Sequence, residues 1–347
     1  METLSLAPFQ GITDVVYRNV FKKHFRGITK FYTPFFTGIQ KDNSKSLRGE
    51  EISPDFNDVK TVVPQILSNN ADEIIRFANQ CKSMGYAEFN LNMGCPFPRV
   101  ANKTRGCGLM ADPVRTIKML NDVFEQIDGI KFSIKCRLGY YSDEEIYVFV
   151  DVFNTFNFSE IIIHPRIGKQ MYTGEASLEK FMKLIPLINK PLVYNGDIFD
   201  IEKYNLVSSR RDGSQIVSLR GDGQRSVSTM LGRGLLTNPF LAEQIQNIDN
   251  QSDKKKRMHN FVVDLYVERL RHAEGSPKII GSMKELWKYM MNIFDDPQNV
   301  WRKVKKVNHL DEYEEAVEAI FSEYNITLNN SKDAIHRISN MNNQITT

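Results

Sequence analysis

Four side chains able to do chemistry stand at the ends of apolar runs in the first two-thirds of the chain. They are Cys95 in NLNMGCPFPRV, Lys135 in IKCRLGY, His164 in EIIIHPRIGKQ and Arg233 in MLGRGLL. Cys95 lies between a glycine and a proline, which restrict the backbone and aim the thiol. A thiol with a reference pKa of ~8.5 is mostly protonated at neutral pH, so it suits delivery of one proton to a carbon beside a carbonyl. Asn90 and Asn92 place neutral hydrogen-bonding groups nearby, which need not draw the thiol into its anion. Cys81 and Cys136 read as small buried fillers, and Cys107 as a packing residue of the same loop.

Lys135 and Arg137, two residues apart on an extended run, share one face of a strand. A lysine turned into a binding mouth must find an anion or lose its charge. The negative charge that a flavin carries around N1 and its C2 carbonyl on reduction would supply that anion. LGRGLL, with glycines, Arg233 and the start of a helix, reads as a phosphate site, with NGDI (195–198) as its neighbour. His164, in company with Arg166 and Lys169, could donate to the same cofactor or its phosphate.

Elements must hold these groups together. Apolar runs at 4–8, 30–35, 62–67, 87–92, 131–138, 160–165, 191–196 and 227–234 read as eight strands. Helical patterns fall between most of them, at 71–84, 112–127, 143–156 and 178–188. Eight β/α units over a span close to the ~250 residues of a (β/α)8 TIM barrel favour that closed fold over an open doubly wound sheet. Gln10, Gln65, Asn92, Lys135, His164, Asn195 and Arg233 then fall at strand ends, on the face where barrels place chemistry.

Beyond Asn250, spacings of three and four among Phe261, Leu265, Met283, Trp287, Met290, Tyr313, Val317 and Ile320 predict a small all-α domain. Basic clusters Lys254–Arg257 and Arg302–Lys306 lie within it. The expected division is a barrel over 1–245, helices over 246–328 and a polar tail over 329–347. The Arg- and Ser-rich stretch 205–226 reads as a loop or short hairpin whose Arg210, Arg211, Arg220 and Arg225 could touch nucleic acid.

Composition limits the class. With 347 residues, 41% hydrophobic and 25% charged, the chain is globular rather than disordered. A net charge of +3 permits a polyanionic partner without requiring one. The four cysteines lack CxxC spacing, so neither a disulfide framework nor a metal site is expected. No run approaches the ~18 apolar residues of a membrane span, and a soluble, monomeric protein of the reducing cytoplasm is expected.

The segments APFQGITDVVYR, NLNMGCPFPRV with GCGLM, IKCRLGY, HPRIGKQMY, PLVYNGDI and MLGRGLLTNPF resemble, in order, the signature segments of the tRNA-dihydrouridine synthases. The resemblance implies an FMN-containing (β/α)8 barrel with a C-terminal helical tRNA-binding domain, using NADPH to reduce the C5–C6 bond of particular tRNA uridines. It implies Cys95 as the catalytic acid. For FMN it implies Pro8, Phe9, Gln10, Gln65, Lys135, His164, Asn195, Gly196, Asp197, Gly232 and Arg233. Asn92, Arg137 and Arg166 are the matching candidates for substrate contact. Phe9 stands where the family usually has Met, Pro165 where a small residue is usual, and Ile167 where Thr is frequent. Two rivals share the barrel chemistry: an FMN dehydrogenase acting on a free pyrimidine such as dihydroorotate, and a flavin-bearing RNA-binding protein without turnover. The basic helical region argues against the first, and the pairing of Cys95 with Lys135 against the second.

Overall fold

The computed structural model describes residues 3–39, 49–211, 227–248, 253–272, 275–328 and 337. Contacts divide the chain into two compact units. The first is formed by 1–8, 28–197 and 205–231, and the second by 9–27, 198–204 and 232–347.

The first unit holds a closed, all-parallel barrel of eight strands: β1 (Leu4–Leu6), β2 (Lys30–Phe36), β3 (Val62–Ile66), β4 (Glu88–Met93), β5 (Lys131–Gly139), β6 (Ile161–Ile167), β7 (Leu192–Tyr194) and β8 (Val227–Leu231). Each strand pairs with the next in sequence, and β1 closes on β8 through Leu4 opposite Thr229 and Leu6 opposite Leu231. The expected (β/α)8 barrel is therefore the observed one.

Alternation decides what faces inward. Phe89 of β4 and Phe132 of β5 stack on each other, and each also meets an aromatic ring of a covering helix, Phe77 or Phe124. Their neighbours Asn90, Asn92, Ser133, Lys135 and Arg137 therefore point into the barrel. Asn92 pairs in register with Lys135, and Arg137 with His164. β5 runs on to Gly139, so Lys135 sits mid-strand rather than at the strand end, as the stagger of a barrel requires.

At the opposite, N-terminal end of the barrel, Lys30 bridges two carboxylates, Glu88 at 2.8 Å and Glu160 at 2.9 Å, while the Tyr32 hydroxyl donates to Glu160. Burial opposes the Lys30 charge, but the two glutamates outweigh it and hold the ammonium above its usual range.

Two expected elements differ. The helix read over 143–156 is two short ones, Glu145–Val148 and Val150–Thr155, in a segment rich in β-branched and aromatic residues that favour helix weakly. The stretch read as a loop from 205 begins as helix, Ile201–Arg211. Arg220, Arg225 and the tail beyond 328, Arg337 excepted, lie outside the described residues.

The second unit is helical. Val15–His24 packs on Lys254–His272: Tyr17, Phe21 and Phe25 set their rings edge-on or tilted against Phe261. Lys23 and His24 both reach Asp264, at 2.6 and 2.7 Å, and Arg269 reaches Asp14 at 3.0 Å. Helices Ser276–Met290, Pro297–Lys305 and Leu310–Glu323 complete it around Trp287, whose indole donates to the Tyr313 hydroxyl at 3.0 Å. Among the described residues no helix is long and apolar enough to cross a membrane.

Candidate active site

The chain leaves β4 at Met93 and turns through Gly94 and Cys95. The Asn92 side chain makes that turn, its Oδ1 accepting from the backbone N–H of Gly94 (3.0 Å) and Cys95 (2.9 Å). Asn92 is itself held, since its Nδ2 donates to Gln65 Oε1 at 2.8 Å. Gln65 Nε2 donates to Asn90 Oδ1 at 2.8 Å, and Asn90 Nδ2 to Ser133 Oγ at 3.0 Å. A chain of three neutral amides ending on the Ser133 hydroxyl thus crosses β3, β4 and β5 inside the barrel, with Gln65 and Asn90 fully buried. Buried amides keep a fixed geometry only when every group is partnered, and here each locks the next.

Two further ties hold the cysteine turn. Arg137 donates from Nε to Gly94 O at 3.1 Å, and from Nη1 to Ile167 O at 3.0 Å and Met171 O at 2.6 Å. Its guanidinium also lies over the Tyr172 ring, 5.3 Å from the centroid. On the other side, the short helix Gly106–Leu109 returns so that Cys107 N donates to Cys95 O at 2.9 Å. Gly106 has φ +55°, and a Cβ there would stand 2.8 Å from Cys95 Cβ and Cys95 O, so only glycine lets the two segments meet.

Cys95 keeps 9% of its surface. Burial pushes its thiol up, against the pull of the Phe97 N–H and of Arg137, Arg99 and Lys135, so the group carries its proton at neutral pH. Cys107 is fully buried, donates its thiol to Gly139 O at 3.1 Å, and is pushed up to about 12 by burial. Cys81 and Cys136 are equally buried. Of the four cysteines, Cys95 alone keeps any accessible surface.

Lys135 stands beside Cys95 and His164, half-buried, and among the described residues it makes no hydrogen bond or ion pair. Burial, then the neighbouring Arg137, brings its pKa down to about 8. An inward-facing ammonium without a counter-charge is a receptor for an anion or for the negative edge of a polar ring. That is the observation on which a flavin can be tested, and the residues fit one.

His164 is buried on β6, with Nδ1 against Asn195 O and Nε2 facing Arg166 Nη1 at 3.2 Å. Arg166 is 1% exposed and gives the rest of its fork to both Asp197 oxygens and to Gly174 O. Burial, then the cations Arg137, Lys135 and Arg166, pushes His164 well below its usual pKa. Asn195 donates to Met230 O at 2.9 Å, fastening the end of β7 to β8. A Cβ on Gly196 would collide with the Tyr194 hydroxyl.

The first unit therefore gathers Gln65, Asn92, Cys95, Arg137, His164, Arg166, Asn195 and Asp197 near one another, with Lys135 among them. Pro8, two residues past β1, is half-buried in that same unit. Phe9, Gln10, Gly232 and Arg233 belong to the second. There Phe9 sets its ring edge-on to Tyr289, 6.2 Å away, and Gln10 is exposed. Arg233 opens a helix of five residues, Arg233–Thr237, and lies over the Phe199 ring at 5.9 Å. The helix start expected after LGRG is present, but so short a helix adds little dipole.

The sequence reading missed the tethering work of Arg137 and the inner hydroxyl of Ser133, and it placed Asn90 near the thiol without its links to Gln65 and Ser133. The signal was the inward alternation of 90, 92 and 133, 135, 137, legible once the outward phenylalanines are placed. Among the described residues there is no cluster of three or more His, Cys, Asp or Glu able to hold a metal.

A model of the dihydrouridine synthase (Dus) family matches residues 5–326. The "Probable tRNA-dihydrouridine synthase 2" of Bacillus subtilis is 29% identical over 252 residues, covering 69% of this chain and 70% of that one. The "tRNA-dihydrouridine(16) synthase" of Neisseria meningitidis is 24% identical over 331 residues, covering 92% of this chain and 95% of that one.

Proposed function

Since the chain belongs to the dihydrouridine synthase family, an oxidoreductase family, we propose that it uses FMN and NADPH to reduce the C5–C6 double bond of specific uridines in tRNA. The observation that carries this reading is the inward Lys135 ammonium, without a hydrogen bond or ion pair among the described residues, near both the Cys95 thiol and His164.

FMN, when bound, supplies the hydride. Lys135 would be the residue to hold the flavin, its positive charge favouring the anion that the ring becomes on reduction. Gln65 and Asn92 keep the cysteine turn rigid, and Asn195, Gly196 and Asp197 form the adjoining rim. Assignment of the cofactor phosphate to Gly232 and Arg233 rests on the LGRG motif. Pro8, Phe9 and Gln10 are assigned along the flavin from the resemblance of the first segment.

Cys95 holds its proton on Sγ until uracil C6 has accepted hydride, then delivers it to C5. A base must leave the RNA stack to reach so deep a group. Asn92 and Arg137 act on the substrate through the loop they fix, and Arg166 through His164. The protein acts on tRNA as a monomer in the cytoplasm. The name of the Neisseria relative gives position 16 as its target, which makes that position the first to read here.

The test is incubation of the purified, FMN-loaded protein with NADPH and tRNA lacking dihydrouridine, followed by position-resolved mass spectrometry. Dihydrouridine at defined positions is expected. Reduction of a free pyrimidine in place of tRNA, or no uptake of FMN, overturns the reading.

A further inference from the structure

Arginine has donors only, so a nitrogen facing it must offer a lone pair. Nη1 of Arg166 carries two hydrogens and has two partners, Asp197 Oδ1 at 3.1 Å and His164 Nε2 at 3.2 Å. Nη2 also carries two, given to Asp197 Oδ2 and to Gly174 O at 2.6 Å. His164 Nε2 is therefore bare. On its other side Nδ1 faces the Asn195 carbonyl, which can only accept, so Nδ1 carries the hydrogen.

We propose that Arg166, clamped by Asp197, is a positioning residue that acts with the Asn195 carbonyl to lock His164 as the neutral Nδ1–H tautomer, presenting Nε2 only as an acceptor. Each ring nitrogen is fixed by a group of one polarity. Asn195 forbids loss of the Nδ1 proton, and Arg166 forbids a second proton on Nε2. The groups around the ring reinforce this: Lys135 and Arg137 from β5 and Arg166 from β6 are all cationic, and Tyr172 sets its ring 6.4 Å away. Asp197, the acid nearest in this network, is occupied by the Arg166 fork and by the Ala176 N–H.

One consequence rests on the function proposed above. His164 does not donate from Nε2, so a phosphate or carbonyl oxygen of cofactor or substrate gains no hydrogen bond from that nitrogen, whose lone pair is already held by Arg166 Nη1. The sequence had suggested donation to a phosphate; the arrangement of Arg166 reverses the polarity.

The test is long-range 1H–15N correlation spectroscopy of histidine-labelled full-length protein without cofactor or tRNA, between about pH 6 and pH 8. His164, assigned by its loss in His164→Asn, should give a protonated, pyrrole-type Nδ1 and a bare, pyridine-type Nε2 throughout. A proton on Nε2 at neutral pH overturns the proposal. Arg166→Gln can turn an amide oxygen toward Nε2, and should shift the ring toward the form that carries hydrogen on Nε2, read as a change in the two ring-nitrogen shifts within the same pH range. Arg166→Lys, a donor only, should leave the ring as in the parent. A ring with the same pair of nitrogen shifts in Arg166→Gln and the parent overturns the role of Arg166. If neither variant folds, the parent spectrum still decides the tautomer. Absence of dihydrouridine formation by the parent would sink the proposed function while leaving these spectra unaffected.

Discussion

In the proposed reaction Cys95 and Lys135 divide the chemistry by charge state, and each sets a measurable limit. Cys95→Ala should bind FMN and accept reduction by NADPH nearly as the parent does. It should slow reoxidation of the reduced flavin by tRNA roughly 10²-fold or more, the usual scale for a lost general acid, in stopped-flow. Cys107→Ala should change that rate little, because its thiol is spent on Gly139 O. Lys135 has a lowered pKa of about 8, so in the free protein it is charged below that pH and neutral above it. FMN affinity should therefore fall as pH rises through about 8, and Lys135→Met should bind weakly with no such limb. A limb that persists in Lys135→Met would assign it elsewhere. That these two residues come together inside the barrel was legible in the sequence, since they follow or lie in the apolar runs of paired strands; their roles as acid and anion receptor are what these variants test. The work of Arg137 was not legible, because its partners are backbone carbonyls of Gly94, Ile167 and Met171, which leave no trace in residue type.

At the level of elements, all eight strands were legible from apolar runs, because parallel strands covered on both faces must be nearly continuous in hydrophobic residues. Their ends were less so: β5 continues to Gly139 and β7 is only three residues long, since the stagger of a closed barrel is set by pairing rather than by local sequence. The cluster at the base of the barrel was not foreseen, because Lys30, Glu88 and Glu160 are 58 to 130 residues apart and read individually as solvated charges. Replacing Lys30 by Met leaves two carboxylates facing each other with little solvent, and should cost about 3–5 kcal/mol in urea unfolding, the range for breaking a buried pair. The Lys30 contribution is present below the unfolded lysine pKa and is lost only as pH rises through its raised folded value, so parent and variant should converge in strong alkali. Gly106→Ala should disorder the cysteine turn, slowing flavin reoxidation by tRNA while the Lys135 pH limb on FMN binding stays in place.

On the scale of the whole chain, the helical region was legible from its spacing, but its membership was not. The second unit takes in 9–27 because Tyr17, Phe21 and Phe25 find their aromatic partner in Phe261, a pairing no local window contains. Of its basic residues, Arg257 is engaged by Glu243 and His24 O and Lys303 by Glu323, whereas Lys254, Lys256, Lys305 and Lys306 are exposed. Changing those four to Gln should weaken tRNA binding and flatten its salt dependence by up to about 0.7–0.9 in log–log slope per lost phosphate contact, measured by filter binding. A cut near Gln246 tests the same face less cleanly, because it also strips Phe261 and Asp264 from the Val15–His24 helix. That arrangement has a consequence in time. Lys23 leaves the ribosome 241 residues before Asp264, a wait of roughly 12–48 seconds at about 5–20 residues per second. Throughout that interval the Val15–His24 helix carries an aromatic face whose partner has not been synthesised, so this segment waits for most of the described chain to be made before it reaches its final packing.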